Sequence, residues 1–199
     1  VVTAVHRRPR AQPLTIARVL GCHGLKGPLS AEGGVMLRGL PGNGDPASSR
    51  RGSSNVTGRA LVTGATGFIG GRLSSALAKE GWDVRCLVRD RSRAAALEHQ
   101  GLDVLEGDML RPETLRGAGR GIDVAYYLVH SMGGGHVDFR DLERRAAEAF
   151  VEAAARSRIE RIVYLGGPTP PGRPSEHLRS RLAVGEILRA GSVPTVELR

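Results

Sequence analysis

The hydrophobic positions between residues 59 and 199 alternate between short continuous apolar runs and longer stretches with helical spacing. The apolar runs predict buried strands at 60–63, 83–88, 102–106, 123–129, 160–165 and 193–198. The stretches with helical spacing predict helices at 68–80, 91–99, 112–118, 137–157 and 175–190. Strands that alternate with helices form a parallel sheet covered on both faces. We therefore predict an α/β fold with a doubly wound parallel sheet in three layers, which binds ligands at the carboxyl ends of its strands.

The longest predicted helix, 137–157, carries an apolar stripe on one side. That stripe consists of Val137, Leu142, Ala146, Ala149, Phe150, Ala153 and Ala154. The opposite face carries the charged residues Arg140, Glu143, Arg144, Glu148 and Glu152. We interpret this charged face as a surface in contact with water.

Residues 1–55 differ from the rest of the chain, since they are rich in Gly, Pro, Arg and Ser and show no sustained helical or strand period. Such a segment buries too little apolar surface to offset its conformational entropy. We therefore predict a disordered basic leader at 1–55 and a folded domain at 56–199. A leader of this kind is compatible with a transit peptide, a nucleic-acid-binding arm or an extension without function, and we favour the last.

The net charge of +9 is concentrated in the leader, because residues 1–55 contribute eight basic and only two acidic side chains. The predicted folded domain is close to neutral, so its charge does not favour a nucleic-acid partner. No apolar run reaches the roughly 18 residues of a membrane span, and we expect none. Cys22 and Cys86 have neither a disulfide nor a metal-site spacing, which favours a cytoplasmic location and no bound metal.

The segment Thr63-Gly-Ala-Thr-Gly-Phe-Ile-Gly70 links the first predicted strand to the first predicted helix. Its glycines allow a tight turn and close approach of a ligand, and the helix offers free N–H groups and a positive dipole end. These properties suit the pyrophosphate of a dinucleotide. The alternative is a turn that only packs a strand on a helix. The predicted contacts are Thr63, Gly64, Thr66, Gly67, Phe68, Ile69 and Gly70.

The end of the second predicted strand bears on which dinucleotide is bound. Arg89 follows this strand, and its guanidinium suits the 2′-phosphate of NADP, which it can hold with two hydrogen bonds. Asp90 is the alternative, since an acid there accepts from the ribose hydroxyls of NAD. In a third interpretation Arg89 only lies on a solvated surface. We favour NADP and leave NAD open.

Two further strand ends carry polar residues. Asp108 and Met109 follow the third strand, where they can hold the amino group and the face of adenine, although Asp108 is equally typical of a turn. Leu128 and His130 end the fourth strand near the expected nicotinamide ribose, and Ser131 follows them. His130 is also typical of a packed, hydrogen-bonded histidine.

From Leu61 to Arg199 the chain resembles the atypical and extended short-chain dehydrogenase/reductase superfamily, in particular its NmrA-like NAD(P)H-binding proteins. The stretches that carry the resemblance are the glycine turn, 84–90, 106–109, 126–132, 161–167 and 176–181. The resemblance implies a Rossmann fold with the pyrophosphate on the glycine turn. It also implies that Arg89 favours NADP and that Asp108 meets adenine.

The catalytic residues of that superfamily are not matched in this chain. Its oxidoreductases use a Ser after the fifth strand and a Tyr-x-x-x-Lys on the next helix. This chain has Gly166-Gly167 after the strand, and His177 and Arg181 at the Tyr and Lys positions. A histidine can transfer protons near neutral pH, whereas an arginine does not titrate and can only hold a ribose or a phosphate. The superfamily also continues past its sixth strand, so we expect the segment that closes the substrate pocket to be absent from a chain ending at Arg199.

We therefore predict an NAD(P)-binding protein that acts as an NADP-dependent oxidoreductase or isomerase on a small organic substrate. The candidate catalytic residues are His177, Arg181 and Ser131, and the proton comes from His177, Ser131 or His130. The alternative is a non-catalytic dinucleotide-binding module with a regulatory or structural role, which the missing Ser, Tyr and Lys favour. The pattern leaves the substrate and the oligomeric state open.

Overall fold

The computed structural model of the protein describes residues 57–130, 139–167 and 172–199, which form a six-stranded parallel sheet with helices on both faces. The strands are β1 (Arg59–Thr63), β2 (Asp83–Val88), β3 (Asp103–Glu106), β4 (Val124–Tyr127), β5 (Arg161–Leu165) and β6 (Thr195–Leu198). The helices are α1 (Phe68–Lys79), α2 (Ala95–Glu98), α3 (Phe139–Arg156) and α4 (Glu176–Ala190), with 3₁₀ turns at Arg91–Ala94 and Pro112–Leu115. The predicted doubly wound, Rossmann-like α/β fold is confirmed.

The order of the strands positions the ligand crevice. The order is β3-β2-β1-β4-β5-β6, and every neighbouring pair is parallel. The chain builds the sheet outwards in one direction from β1 to β3 and in the other from β4 to β6, so the direction reverses between β1 and β4. A crevice opens at such a reversal, outside the carboxyl ends of the strands. The register aligns Val62 of β1 with Cys86 and Tyr126, so the three central strands end together at that crevice.

Side chains that alternate along the strands build one apolar layer on each face of the sheet. On one face, Val62 lies in the cluster that contains Leu73 of α1. On the other face, Leu61 lies in the cluster that contains Phe150 of α3 and Leu188 of α4. Because both faces are apolar, both need a cover of helices, which is the physical reason for the three layers.

The predicted helix at 91–99 is confirmed in extent but differs in type at its start, because it begins as the 3₁₀ turn Arg91–Ala94 and continues as α2 to Glu98. At this start the Asp90 carboxylate accepts the N–H of Ser92 at 2.9 Å. The predicted helix at 112–118 is wrong in extent. It forms only the 3₁₀ turn Pro112–Leu115, because Gly117 has a φ of +81° and turns the chain away.

The predicted solvated face of the long helix is wrong at one residue, Glu143, which is only 8% exposed. Ser180 of α4 donates a hydrogen bond from its hydroxyl to Glu143 Oε2. Helix α4 packs along this side of α3, so α3 is covered by the sheet on one side and by α4 on another. The other charged residues assigned to that face are exposed; they are Arg140, Arg144, Glu148 and Glu152.

The predicted disordered leader at 1–55 lies outside the residues that the structure describes, as do Ser131 and Val137. The predicted boundary between leader and folded domain therefore stays a prediction. Within the described ranges, no helix combines the length and the apolar character that crossing a membrane requires.

Candidate functional site

The three glycines of the turn between β1 and α1 have different roles. Gly64 has a φ of +67°, and a Cβ there would lie 2.9 Å from the carbonyl oxygen of Leu128, so conformation and space both exclude a side chain. Gly70 lies in the first turn of α1, where a Cβ would collide with the carbonyl oxygen of Gly64. Gly67 is exposed, and its N–H donates to the Gly64 carbonyl at 3.0 Å. Gly64 and Gly70 therefore shape the turn, whereas Gly67 leaves the backbone open to a ligand.

The N-terminus of α1 is open towards solvent and the crevice. No side chain caps it, and its first turn contains no acidic residue. The first N–H groups of a helix have no partner within the helix, and the helix dipole places positive charge at this end. The guanidinium of Arg72 adds a charge nearby, 4.1 Å from the centre of the exposed Phe68 ring. This arrangement suits a phosphate group.

Thr63 lies beneath the turn and is fully buried. Its hydroxyl donates to the carbonyl of Tyr126 and accepts from the N–H of Leu128, both at 3.1 Å. It thereby joins the ends of β1 and β4, the two strands between which the crevice opens. Thr63 holds the turn in position and does not itself line the cavity.

A cavity of about 640 Å³ opens at the carboxyl ends of the strands, around the reversal between β1 and β4. Its size is in the range of small-molecule and cofactor sites. The predicted site residues that line it are Gly64, Thr66, Gly67, Phe68, Ile69, Gly70, Arg89, Asp108, Met109, Leu128, His130, His177 and Arg181. Among the lining residues to which the sequence assigned no ligand contact are Val88, Arg93, Leu110, Glu143, Ala146 and Leu165.

The arginines near the end of β2 divide into two pairs. Arg85 and Arg91 are held in ion pairs with neighbouring carboxylates, with N–O distances of 2.6 and 2.8 Å. Arg89 and Arg93 line the cavity, and both are exposed. Two guanidinium groups therefore face the ligand space at the end of β2.

Asp90, the acid that would favour NAD, is engaged elsewhere. Its Oδ1 accepts from the N–H of Ser92 at 2.9 Å and from the Ser92 hydroxyl at 2.6 Å. These hydrogen bonds hold the pKa of the Asp90 carboxyl below its ordinary value. Asp90 is not among the residues that line the cavity.

Asp108 is a turn residue that also lines the cavity. Its Oδ1 accepts from the N–H of Leu110 at 2.9 Å, and its own N–H donates to the Thr114 hydroxyl at 2.8 Å, which makes it a turn residue. It also lines the cavity beside Met109, which is 6% exposed and belongs to the apolar core. An acid and an apolar side chain therefore lie together at the end of β3.

The end of the cavity beyond β4 is lined by His130, Glu143, His177 and Arg181. Burial is the main cause that lowers the pKa of His130, and the positive charge of Arg181 lowers it further. The carboxylate of Glu143 opposes both effects and raises the pKa of His130. Titratable groups of opposite sign are thus concentrated at this end.

Arg181 is bound to the end of β5. One of its terminal nitrogens donates to the carbonyls of Leu165 and Gly166, both at 3.0 Å. Its backbone carbonyl accepts from the hydroxyl of Tyr164 at 2.9 Å, and burial raises the pKa of that phenol to about 12. Within the described residues, the buried Arg181 Nε has no hydrogen-bond partner.

The two glycines after β5 stand where the superfamily has its Ser. A Cβ on Gly166 would meet the carboxylate of Glu197, and a Cβ on Gly167 would lie 2.6 Å from Leu178 Cδ1. Side chains of β6 and α4 therefore occupy the space beside both glycines, and a serine there would require these side-chain ends to shift.

His177 lies at the rim of the cavity and is exposed. Its ring stacks on Phe139 with the ring centres 4.9 Å apart and the planes inclined by 30°. The ion pair between Arg140 and Glu176 joins the same ends of α3 and α4. His177 therefore lies at the opening of the cavity, whereas His130 is less exposed and lies further inside it.

Glu143 is the lining residue that sequence reasoning assigned to the wrong environment. Its position was informative, because Ala146, Ala147 and Phe150 follow it at intervals of three, four and seven residues and are all buried. Residues at these intervals share one face of a helix. A charged residue on a helix face whose other residues are apolar indicates a buried polar group, and this signal could have shown that Glu143 is buried.

A comparison with protein-family models decides the family. Residues 64–189 match a family described as NAD(P)H-binding. The chain belongs to the NAD(P)H-binding family. The match includes the glycine turn, Arg89 and the whole cavity described above.

Curated relatives of this NAD(P)H-binding chain include proteins with different roles. It is 33% identical over 104 residues to the photosystem II assembly factor Ycf39 of Cyanophora paradoxa, across 52% of this chain and 32% of that protein. It is 32% identical over 127 residues to 3 beta-hydroxysteroid dehydrogenase/Delta 5→4-isomerase of Mycobacterium tuberculosis, across 58% of this chain and 34% of that protein. The chain thus spans about a third of the length of these relatives.

Among solved structures, the triphenylmethane reductase of Citrobacter sp. aligns with a TM-score of 0.61 and 28% identity. The alignment covers 71% of this chain and 48% of the reductase. The same reductase is also solved as a complex with NADP(H), which aligns with a TM-score of 0.59. In this chain, the N-terminus of α1 is uncapped, and no side chain covers the backbone at Gly67. Both features fit the pyrophosphate of a dinucleotide.

Proposed function

We propose that the chain is the dinucleotide-binding part of an NADP-dependent oxidoreductase that acts on a small organic substrate. The observation that carries NADP over NAD is the pair Arg89 and Arg93, which line the cavity at the end of β2. The neighbouring Asp90 is bound to Ser92 and does not line it. A guanidinium pair binds a 2′-phosphate, whereas a carboxylate would bind the ribose hydroxyls of NAD.

Each part of the cavity has a role in this proposal. The turn at Gly64, Gly67 and Gly70, with the N-terminus of α1, would hold the pyrophosphate. Asp108 and Met109 would contact adenine. Leu128 and His130 would border the nicotinamide ribose, and Arg181 lines the cavity on the same side of β4. When bound, NADPH would supply a hydride.

The remaining surface of the cavity combines apolar and titratable side chains. Beyond β4, Ala146 and Leu165 line the cavity together with His130, Glu143, His177 and Arg181. Apolar side chains with a few polar groups are the usual lining of a small-molecule pocket. The related hydroxysteroid dehydrogenase and triphenylmethane reductase are named for organic compounds. A cytoplasmic location stays a prediction from the cysteine content.

Titration calorimetry with NADPH and NADH tests the proposal. We expect Arg89→Gln to weaken NADPH binding at least about tenfold, because it removes a charge-assisted contact to the 2′-phosphate, and to leave NADH binding unchanged. Arg156→Gln is the matched control, since Arg156 lies on the exposed end of α3 and pairs only with Glu152 among the described residues. Equal binding of NADH and NADPH by the unmodified chain contradicts the NADP assignment, and binding of neither contradicts the function.

A second candidate function is a non-catalytic dinucleotide-binding module. It is favoured by Gly166 and Gly167, which stand in place of the superfamily's Ser, and by the binding of Arg181 to the β5 carbonyls. The related Ycf39 is an assembly factor, not named as an enzyme. This candidate predicts NADPH binding without loss of the NADPH absorbance when steroid ketones or triphenylmethane dyes are added.

A further inference from the structure

A second cavity, of about 390 Å³, lies at the opposite ends of the strands from the dinucleotide cavity. It is lined by the loop between the 3₁₀ turn Pro112–Leu115 and β4 and by the end of α3, which leads into β5. Both segments precede a strand, so the cavity lies at the amino ends of β4 and β5, and we call it the amino-end cavity. It shares no lining residue with the dinucleotide cavity.

The charged side chains that line the amino-end cavity are all arginines, namely Arg116, Arg120 and Arg156. Each of them is exposed, and none of the described residues in the lining is acidic. Arg156 pairs with Glu152 at 3.3 Å on the surface of α3, whereas Arg116 and Arg120 form no ion pair with any part of the chain that the structure describes. A concave surface lined by charges of one sign concentrates the electric field and attracts ions of the opposite sign. The cavity therefore favours an anion.

The backbone of the loop 116–121 supports this preference. Gly117 and Gly121 have φ values of +81° and +70°, a conformation that glycine adopts without strain. A Cβ at Gly117 would have open space around it, so no side chain fills the cavity at this point. The carbonyls of Gly117 and Ala118 accept from a terminal nitrogen of Arg85 at 3.3 and 3.1 Å, and Arg85 lies outside the lining. Two backbone oxygens that would repel an anion are thereby occupied.

We propose that the amino-end cavity binds an organic phosphate. Arg116, Arg120 and Arg156 hold the phosphate group, because guanidinium groups bind phosphate oxygens with paired, charge-assisted hydrogen bonds. The organic part contacts Leu115 and Ala153, the apolar side chains of the lining. The volume is in the range of sites for small organic ligands. This site is separate from the proposed dinucleotide function and does not depend on it.

The test is a titration of the chain with phenyl phosphate at about pH 7, followed by NMR. Glycine amides report on each cavity separately, since Gly117 and Gly121 line the amino-end cavity, and Gly64 and Gly67 line the dinucleotide cavity. We expect the amide signals of Gly117 and Gly121 to shift with a dissociation constant of their own. Binding of the same compound at the glycine turn is then read from different signals and does not obscure the result.

Two related compounds test the chemical class of the ligand. Phenyl sulfate has the same ring but a single negative charge, whereas a phosphate ester carries close to two at about pH 7. We expect phenyl sulfate to bind the amino-end cavity at least about fivefold more weakly. Inorganic phosphate lacks the ring that packs on Leu115 and Ala153, and it should bind at least about threefold more weakly than phenyl phosphate.

A pair of double variants tests the residues. Arg116→Gln with Arg120→Gln should raise the dissociation constant read at Gly117 at least about tenfold, because two charge-assisted contacts are lost. Arg89→Gln with Arg93→Gln removes the same charge from the dinucleotide cavity and should leave that constant unchanged. All four side chains are exposed, so we expect both variants to fold.

Arg156→Gln provides an independent check on the third guanidinium, and it should raise the same constant at least about threefold.

Several outcomes overturn the proposal. Signals at Gly117 and Gly121 that do not shift show that phenyl phosphate binds only elsewhere. An equal rise of the constant in the two double variants shows a general effect of net charge, not a site. Equal affinity for phenyl sulfate or for inorganic phosphate marks an adventitious anion only. NADPH calorimetry on the same variants tests the proposed function separately, so failure of one proposal is distinguishable from failure of the other.

Discussion

At the scale of single residues, the three glycines of the turn have two kinds of role. Gly64 and Gly70 shape the backbone, whereas Gly67 leaves it open to a ligand. A side chain at Gly64 or Gly70 would meet backbone atoms, those of Leu128 or of Gly64 itself. A Cβ at Gly67 would meet only the Gly64 carbonyl, at 3.2 Å, and its other directions are open. The three residues have the same identity in the sequence, and only their surroundings distinguish them.

The variant Gly67→Leu tests this distinction. We expect it to reduce NADPH affinity by at least about tenfold, because the side chain blocks the approach of the pyrophosphate to the backbone. The free energy of unfolding should fall by only about 1 kcal/mol, because leucine is less favourable than glycine at this N-cap position and its Cβ would lie 3.2 Å from the Gly64 carbonyl oxygen. Calorimetry and urea unfolding measure the two quantities. Gly172→Leu, at an exposed glycine with open space around it, is the control that should change neither.

At the scale of elements, the junctions between strand ends and helices decide the shape of the cavity. Thr63 joins β1 to β4, Arg181 joins α4 to the end of β5, and Ser180 joins α4 to α3. Each junction consists of hydrogen bonds between two different elements of the fold. The cavity is therefore held open by a few polar contacts at the edge of two apolar layers.

The variant Thr63→Val measures one of these junctions. It keeps the shape of the side chain but leaves the Tyr126 carbonyl and the Leu128 N–H without their buried partner. We expect the free energy of unfolding to fall by about 1–3 kcal/mol, measured by urea unfolding. Thr57→Val removes an exposed hydrogen bond to the Glu80 carbonyl and should cost much less. An equal effect of the two variants would show that the Thr63 hydroxyl has no special role in the junction.

At the scale of the whole molecule, the proposed cofactor would contact both halves of the sheet. The cavity is lined by residues from the ends of β1, β2 and β3 on one side and from β4, β5 and α4 on the other. A ligand in this position binds only the folded chain. Its binding energy therefore adds to the stability of both halves together.

We expect NADPH at about 100 times its dissociation constant to raise the melting temperature by roughly 5–10 °C, since ligand binding then adds about 2.7 kcal/mol. Differential scanning calorimetry should show a single unfolding transition that shifts to higher temperature when NADPH is added. The Gly67→Leu variant, at the same NADPH concentration, should show at most about half of this increase, because a tenfold weaker affinity leaves about 1.4 kcal/mol of stabilisation. A rise of equal size in that variant would place the ligand outside the glycine turn.

Much of this organisation was predictable from local pattern. The glycine turn, the order of strands and helices and the polar residues at the strand ends depend on neighbours in the sequence, and the fold built from them is confirmed. The predicted helix at 112–118 was wrong in extent. The 3₁₀ turn there ends at Leu115, because the backbone conformation at Gly117 competes with the helical pattern.

The sequence by itself determined the fold class and the place of the candidate site, because alternating apolar periods and a glycine turn express local backbone preferences. The tertiary structure alone decided which charged residues face the cavity. It leaves Arg89 and Arg93 on the ligand space, and it buries Glu143 against Ser180. The physical reason is that burial and electrostatic surroundings arise from contacts between elements distant in the chain. The apolar stripe of a helix indicates the side that packs on the sheet, but it does not show that a second helix covers another side.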